Sequence, residues 1–155
     1  MNLAALKLEG KRGCVDPDLD VLYSTAIVHG ATKNGVVVIG GGSPKNFYLQ
    51  TQPTLWQILN LDKGGHDYYV GLTTDSPQWG GLSGATPAEA ISWGKIQPHG
   101  MEHHLVVYAD ATVSLPIVAG YALATCKRRE PKRLYPKLPA LLEDMRAAAR
   151  AKTKA

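Results

Sequence analysis

The chain has 155 residues, 45% of them hydrophobic and 19% charged, with a formal net charge of +4. A single domain of this size hides roughly 70% of its unfolded surface, and the composition excludes an intrinsically disordered chain. No apolar run reaches the ~18 residues of a membrane span, and Lys7, Glu9, Lys11 and Arg12 interrupt any secretory leader, so a cytoplasmic location is expected.

Asp16-Pro17 opens the first clear helix, with Asp as N-cap and Pro at the first helical position. Leu19, Leu22, Tyr23, Ala26 and Ile27 continue it as an apolar stripe, and Gly30 and Asn34-Gly35 end it. Val36 to Ile39 is a continuous β-branched run, as expected of a strand buried on both faces of a parallel sheet. Gly40-Gly41-Gly42 follows, and Ser43-Pro44 repeats the cap signature. The helix breaks near Pro53 and resumes through Trp56, Ile58 and Leu59.

Tyr68 to Thr74 forms the second strand, followed by a glycine-rich loop from Asp75 to Gly84. Thr86-Pro87-Ala88-Glu89 reads as a capping box, with Glu89 placed to reach back to the cap. Gly94 ends that short helix, so Lys95 falls just beyond it. Leu105 to Ala109 is the third strand, and Leu115 to Cys126 is long and apolar enough for a buried helix. This alternation predicts an α/β fold with a mainly parallel sheet and flanking helices. Residues 131–139 read as a linker, and Leu138, Leu141, Leu142 and Met145 form the stripe of a last amphipathic helix.

The charge is uneven. Residues 127–155 hold ten Lys and Arg against three acids, whereas the rest hold seven against ten. The organisation expected is a body over residues 1–130 and a basic tail over 131–155. A solvated tail or helix face explains such a run, and with only Tyr135 interleaved a nucleic-acid surface is disfavoured. Cys14 and Cys126 lack metal-ligand spacing and suit reduced thiols. His29, His66, His99, His103 and His104 form no metal motif, so no metal is assigned.

Three segments could carry chemistry. Gly40-Gly41-Gly42-Ser43-Pro44, between strand and helix, offers backbone donors to a phosphate or is simply a tight turn. Lys95 stands near Trp93 and Glu89. An indole would desolvate the amine and lower its pKa, whereas a carboxylate would raise it. Asp110-Ala111 ends a strand, where an acid could bind a ribose hydroxyl or an amine, or cap a helix.

Gly84-Ala85-Thr86-Pro87-Ala88-Glu89-Ala90-Ile91-Ser92-Trp93-Gly94-Lys95-Ile96 closely resembles the active-site signature of deoxyhypusine synthases. Gly40-Gly41-Gly42 and Tyr108-Ala109-Asp110-Ala111 resemble two further family blocks, and residues 42–47 resemble the bacterial and archaeal-like branch. The resemblance implies a Rossmann-like, NAD-binding fold, truncated relative to the family. It also implies transfer of an aminobutyl group from spermidine, through an imine on the enzyme lysine, to a lysine of a hypusine-type translation factor. Lys95 would form the imine. Asn46, Gly80, Gly81, Leu82, Glu89 and Trp93 would contact the polyamine; Gly41, Thr74, Asp75, Asp110 and Ala111 would contact NAD.

Asn46 stands where eukaryotic family members have a proton-handling histidine, and Leu82 where they have an acid. Loss of that acid removes a charge-assisted contact of roughly 1.5–3 kcal/mol. Homospermidine formation, or transfer from another polyamine, is the alternative activity. Family chains run roughly twice as long, so a fragment, one half of a split enzyme, or an inactive subunit is the further alternative. Self-association, or a complex with an N-terminal half or a paralogue, is implied with it.

Overall fold

The computed structural model describes residues 2–13, 15–98 and 101–153. Cys14 and His99 lie outside them; Cys126 is a free, exposed thiol. Three strands, β1 (Gly35–Ile39), β2 (Tyr68–Thr73) and β3 (His104–Tyr108), form a parallel sheet in the order β1-β2-β3. Val37 pairs with Val70 and Val70 with Leu105, which fixes the register. Because all three strands run the same way, their carboxyl ends share one edge.

Among the described residues seven α-helical segments accompany the sheet: α1 (Asn2–Leu8), α2 (Pro17–Gly30), α3 (Gly42–Leu49), α4 (Thr51–Pro53), α5 (Pro87–Ser92), α6 (Ala111–Thr125) and α7 (Leu138–Thr153). Asp16 caps α2 as expected, its side chain accepting from the Leu19 amide. The start of α3 differs from the expectation. Gly41, at φ +74°, is the N-cap, and Ser43 and Pro44 fall inside the first turn. Proline is tolerated there because first-turn N–H groups have no intrahelical partner.

The helical path also continues through Pro53 instead of breaking. Residues Thr54–Ile58 wind as a π-helical turn, and the Leu59 amide bonds back to Thr54. Pro53 has no N–H for the Leu49 carbonyl, and widening the next turn lets the chain proceed.

Two apolar clusters hold the fold. Val38, Leu49, Tyr69, Ala90 and Ile96 pack α3 and α5 against one face of the sheet. Ala26, Val28, Leu55, Leu61 and Met145 join α2, the π turn and α7. The expected stripe of the last helix is therefore seated on α2, with Leu138 and Met145 buried and Leu141 and Leu142 packed beside them. Tyr48 touches both clusters.

Two expectations of burial fail. Val37 and Ile39 of β1 are more than half exposed, because β1 is an edge strand and only its Val38 face is covered. Helix α6 buries only Ser114; Tyr121 and Leu123 are 72% and 86% exposed. Contacts of α6 with the sheet reach β2, leaving Val37, Ile39 and Leu105 open on the same side. Among the described residues no helix is long and apolar enough to cross a membrane.

Candidate active site

Lys95 is positioned by its backbone. The Gly94 amide donates to the Ile91 carbonyl at 2.9 Å and the Lys95 amide to the Ala90 carbonyl at 3.0 Å. Those paired bonds are the Schellman closure of α5. The closure needs a left-handed residue, supplied by Gly94 at φ +65°, whose missing Cβ also leaves room for Trp56. On the other side, the Lys95 carbonyl accepts from the His66 amide at 3.0 Å, and the Gln97 amide donates to His66 at 3.1 Å. The lysine is thus held between a helix end and a short parallel bridge, His66 to Ile96.

Thr86 caps α5 by accepting from the Glu89 amide at 3.3 Å. The Glu89 side chain faces a cavity of about 320 Å³ shared with Asn46, Leu82, Trp93 and Lys95. Five residues expected to act together, from α3, the glycine-rich loop and α5, therefore line one space. Gly80 and Gly81 do not line it: Gly81 lies against Asp75, and Gly80 turns the loop at φ +71°.

The Lys95 amine donates to Asn46 Oδ1 at 2.8 Å and stands 5.9 Å from the Trp93 ring centre. Burial lowers its pKa below the ordinary lysine value, and Glu89 works against that shift. Both opposing influences foreseen from the sequence act here, and desolvation prevails. An amide oxygen accepts from ammonium and neutral amine alike, so Asn46 can orient the amine without taking its proton.

Gly41, Thr74, Asp75, Asp110 and Ala111 fall at or just beyond the carboxyl ends of the strands. Asp110 caps α6: its Oδ1 accepts from the Thr112 amide at 2.8 Å and hydroxyl at 2.6 Å, and these bonds lower its pKa. Asp75 accepts from the Ser83 hydroxyl and so closes the base of the glycine-rich loop. Among the described residues no three His, Cys, Asp or Glu side chains converge on a common point.

Sequence reasoning overlooked Lys45, a nearly buried second lysine on the cavity wall. It also overlooked Leu49, Gln50, Pro53 and Gln57 of the same wall. Their signal was the helical spacing 46, 50, 53, 57, concealed by the break assigned to Pro53. His66 was considered only as a metal ligand; its role here is structural. It is fully buried, stacks on Tyr48 with ring centres 4.6 Å apart, and burial pushes its pKa down to about 4.

The fold is thus a parallel α/β sheet beside a cavity whose wall partly desolvates one lysine amine. The family model for deoxyhypusine synthase matches residues 1–122, and the chain belongs to that family. It is 49% identical over 149 residues to the deoxyhypusine synthase-like protein of Nostoc punctiforme, covering 94% of this chain and 38% of that one. The corresponding protein of Cyanothece sp. is 47% identical over 154 residues, again covering 94% and 38%. The probable deoxyhypusine synthase 2 of Methanosarcina acetivorans is 49% identical over 131 residues, covering 84% and 35%. The chain thus spans little more than a third of the length of these relatives.

Proposed function

We propose that this chain supplies the lysine-bearing part of an NAD-dependent transferase that moves the aminobutyl group of spermidine through an imine on Lys95 to a protein lysine. The observation that carries the reading is the Lys95 amine, partly desolvated, held by Asn46 and set in one cavity with Glu89 and Trp93. Lowering the pKa raises the neutral, nucleophilic fraction of the amine at neutral pH.

Attack by that amine on an imine carbon forms a new C–N bond. Collapse then breaks the bond to 1,3-diaminopropane, which leaves as the amine and carries the proton Lys95 gave up. Glu89, the acid of the cavity, holds a substrate ammonium, while Leu49, Pro53 and Trp93 pack the methylene chain. An acceptor lysine displaces Lys95 by the same exchange. NAD, when bound, supplies the hydride acceptor that creates the first imine and the hydride that reduces the last.

The strand-end residues fit a dinucleotide in two respects. Thr74 and Asp110 are exposed on that edge, and α3 begins at Gly41 with no side-chain cap, leaving backbone donors open. Gly41, Thr74, Asp75, Asp110 and Ala111 would hold it.

The open side of the sheet and the exposed α6 favour a chain that works with a covering partner: the remaining family length, a paralogue or a second copy. Leu82, an uncharged wall residue, favours as a second reading a related polyamine transfer, such as homospermidine formation. The test is borohydride trapping with spermidine and NAD, with the complementary family portion supplied, followed by peptide mass spectrometry. A spermidine-derived adduct on Lys95 is expected, and no turnover by the chain alone. A Lys95→Arg chain that traps equally well would sink the assignment.

A further inference from the structure

Lys45 is 4% exposed, and a lysine this buried normally faces a carboxylate. Here its ammonium donates instead to two main-chain carbonyls of the glycine-rich loop, Leu82 at 3.1 Å and Ala85 at 2.6 Å. No carboxylate among the described residues forms an ion pair with it. The Tyr69 ring lies 5.8 Å from the ammonium and gives it a second favourable surface. An ammonium has three donors, so one remains for whatever occupies the cavity.

We propose that Lys45 is a positioning residue for Lys95: its ammonium plugs the Leu82 and Ala85 carbonyls, fastens the glycine-rich loop over the cavity, and fixes a positive charge on the wall that Lys95 shares. The inference rests on Lys95 being the reactive amine. It adds a device that neither the signature segment nor the family match assigns.

Three observations converge on it. First, the loop is otherwise lightly held: Trp79 is 73% exposed, Leu82 is exposed, and the turn at Leu82 and Ser83 rests on the start of α3 at Gly42. Asp75 and Ser83 bond within the loop itself and do not anchor it to α3. Second, Lys45 and Asn46 are consecutive on α3. One sets the loop, which is the far wall of the cavity, and the other receives the Lys95 amine. Helix α3 thereby sets both the amine and the wall it faces. Third, two amines share one cavity with the acid Glu89: burial lowers the Lys45 pKa, Glu89 opposes that shift, and the Lys95 charge adds to the lowering, so the two amines are electrostatically linked.

Removing Lys45 therefore acts on Lys95 in one direction. Water enters as the loop loosens, and a neighbouring positive charge disappears. Both changes favour the protonated form of Lys95 and raise its pKa towards the ordinary value.

The experiment uses the full chain and a small acylating reagent, acetic anhydride, with Lys95 labelling quantified by peptide mass spectrometry from pH 6 to 11. Exposed Lys11 serves as the internal reference. In Lys45→Met the midpoint of Lys95 labelling is expected to rise by roughly half to one pH unit. Amide hydrogen exchange of residues 82–86 should accelerate at least tenfold, with the far-ultraviolet circular dichroism retained. Lys45→Arg keeps the charge and should hold the midpoint near that of the native chain.

An unchanged Lys95 midpoint in a folded Lys45→Met chain overturns the proposal. If that variant does not fold, Lys45→Gln, which keeps a donor for one carbonyl, must show the same upward shift. Unfolding of both would make Lys45 a strut of the whole fold and would equally overturn it. Because the reagent reports on the amine without polyamine or NAD, these results are independent of the trapping test. Failure to trap spermidine would sink the functional reading, whereas an unchanged Lys95 midpoint sinks the positioning role alone.

Discussion

His66 gives the most direct link between solution conditions and the Lys95 segment. Burial holds its imidazole at a pKa of about 4, against 6.5 when unperturbed, and the Tyr48 carbonyl and Asp67 offset only part of that shift. Between those two values the unfolded chain binds a proton that the folded chain refuses, so stability from this group is complete above pH 6.5 and drains as pH falls towards 4. Each unit is worth about 1.4 kcal/mol, which makes the loss across the window about 3 kcal/mol. For a domain whose total stability is of the order of 5–15 kcal/mol, that is a large share.

The Thr51 hydroxyl already donates to the Tyr48 carbonyl at 2.7 Å, so the 3.4 Å contact with His66 Nε2 requires the imidazole to donate. Nδ1 is left as an unpartnered lone pair, and protonating it places a charge in an apolar site. The assay is urea unfolding, followed by circular dichroism, at pH 7.5, 5.5 and 4.5 for the native chain and His66→Gln. The native chain should lose roughly 2.5 kcal/mol more than the variant over that range. Amides of His66 and Gln97, which flank Lys95, should exchange faster at the acid end. Equal pH slopes in the two proteins would refute the reasoning, because every other titrating group is common to both.

Gly94→Ala forces a left-handed alanine and drives a methyl to 3.1 Å from the Trp56 indole nitrogen, so a loss of about 1–3 kcal/mol in urea unfolding is expected. The same variant should displace Lys95, read as a weakened response of its labelling midpoint to Asn46 substitution. Asn46→Leu removes the acceptor of the Lys95 amine and should change the borohydride-trapping rate of the assembled enzyme at least tenfold while leaving the unfolding midpoint nearly unchanged. Met145→Ala, in the cluster that joins α7 to α2, should cost about 2–4 kcal/mol; a chain with unaltered stability would mean that residues 138–153 are dispensable to the fold.

The local signals read well wherever local chemistry decided the structure. Asp16-Pro17 capped α2, Thr86 capped α5, and Gly94 closed α5, because a cap is settled by a few neighbouring atoms. The strands were legible from their β-branched runs. Burial was not: Val36 to Ile39 and residues 115–126 are apolar in sequence, yet much of their surface is open. Hydrophobic pattern states what a segment prefers to cover, whereas coverage depends on which other elements arrive.

For the candidate site, the sequence by itself singled out Lys95 and foretold its helix-end backbone and the family. The reason is that the Schellman closure and the signature both lie within thirteen consecutive residues. Tertiary structure alone decided which residues meet that lysine. Asn46 is 49 positions away, and the Leu82 and Ala85 carbonyls lie 37 and 40 positions from Lys45. Such contacts follow from the parallel register of three strands and from a π turn that carries α3 past Pro53. No local pattern encodes those distances. They exist only once the sheet sets α3, the glycine-rich loop and α5 around one cavity.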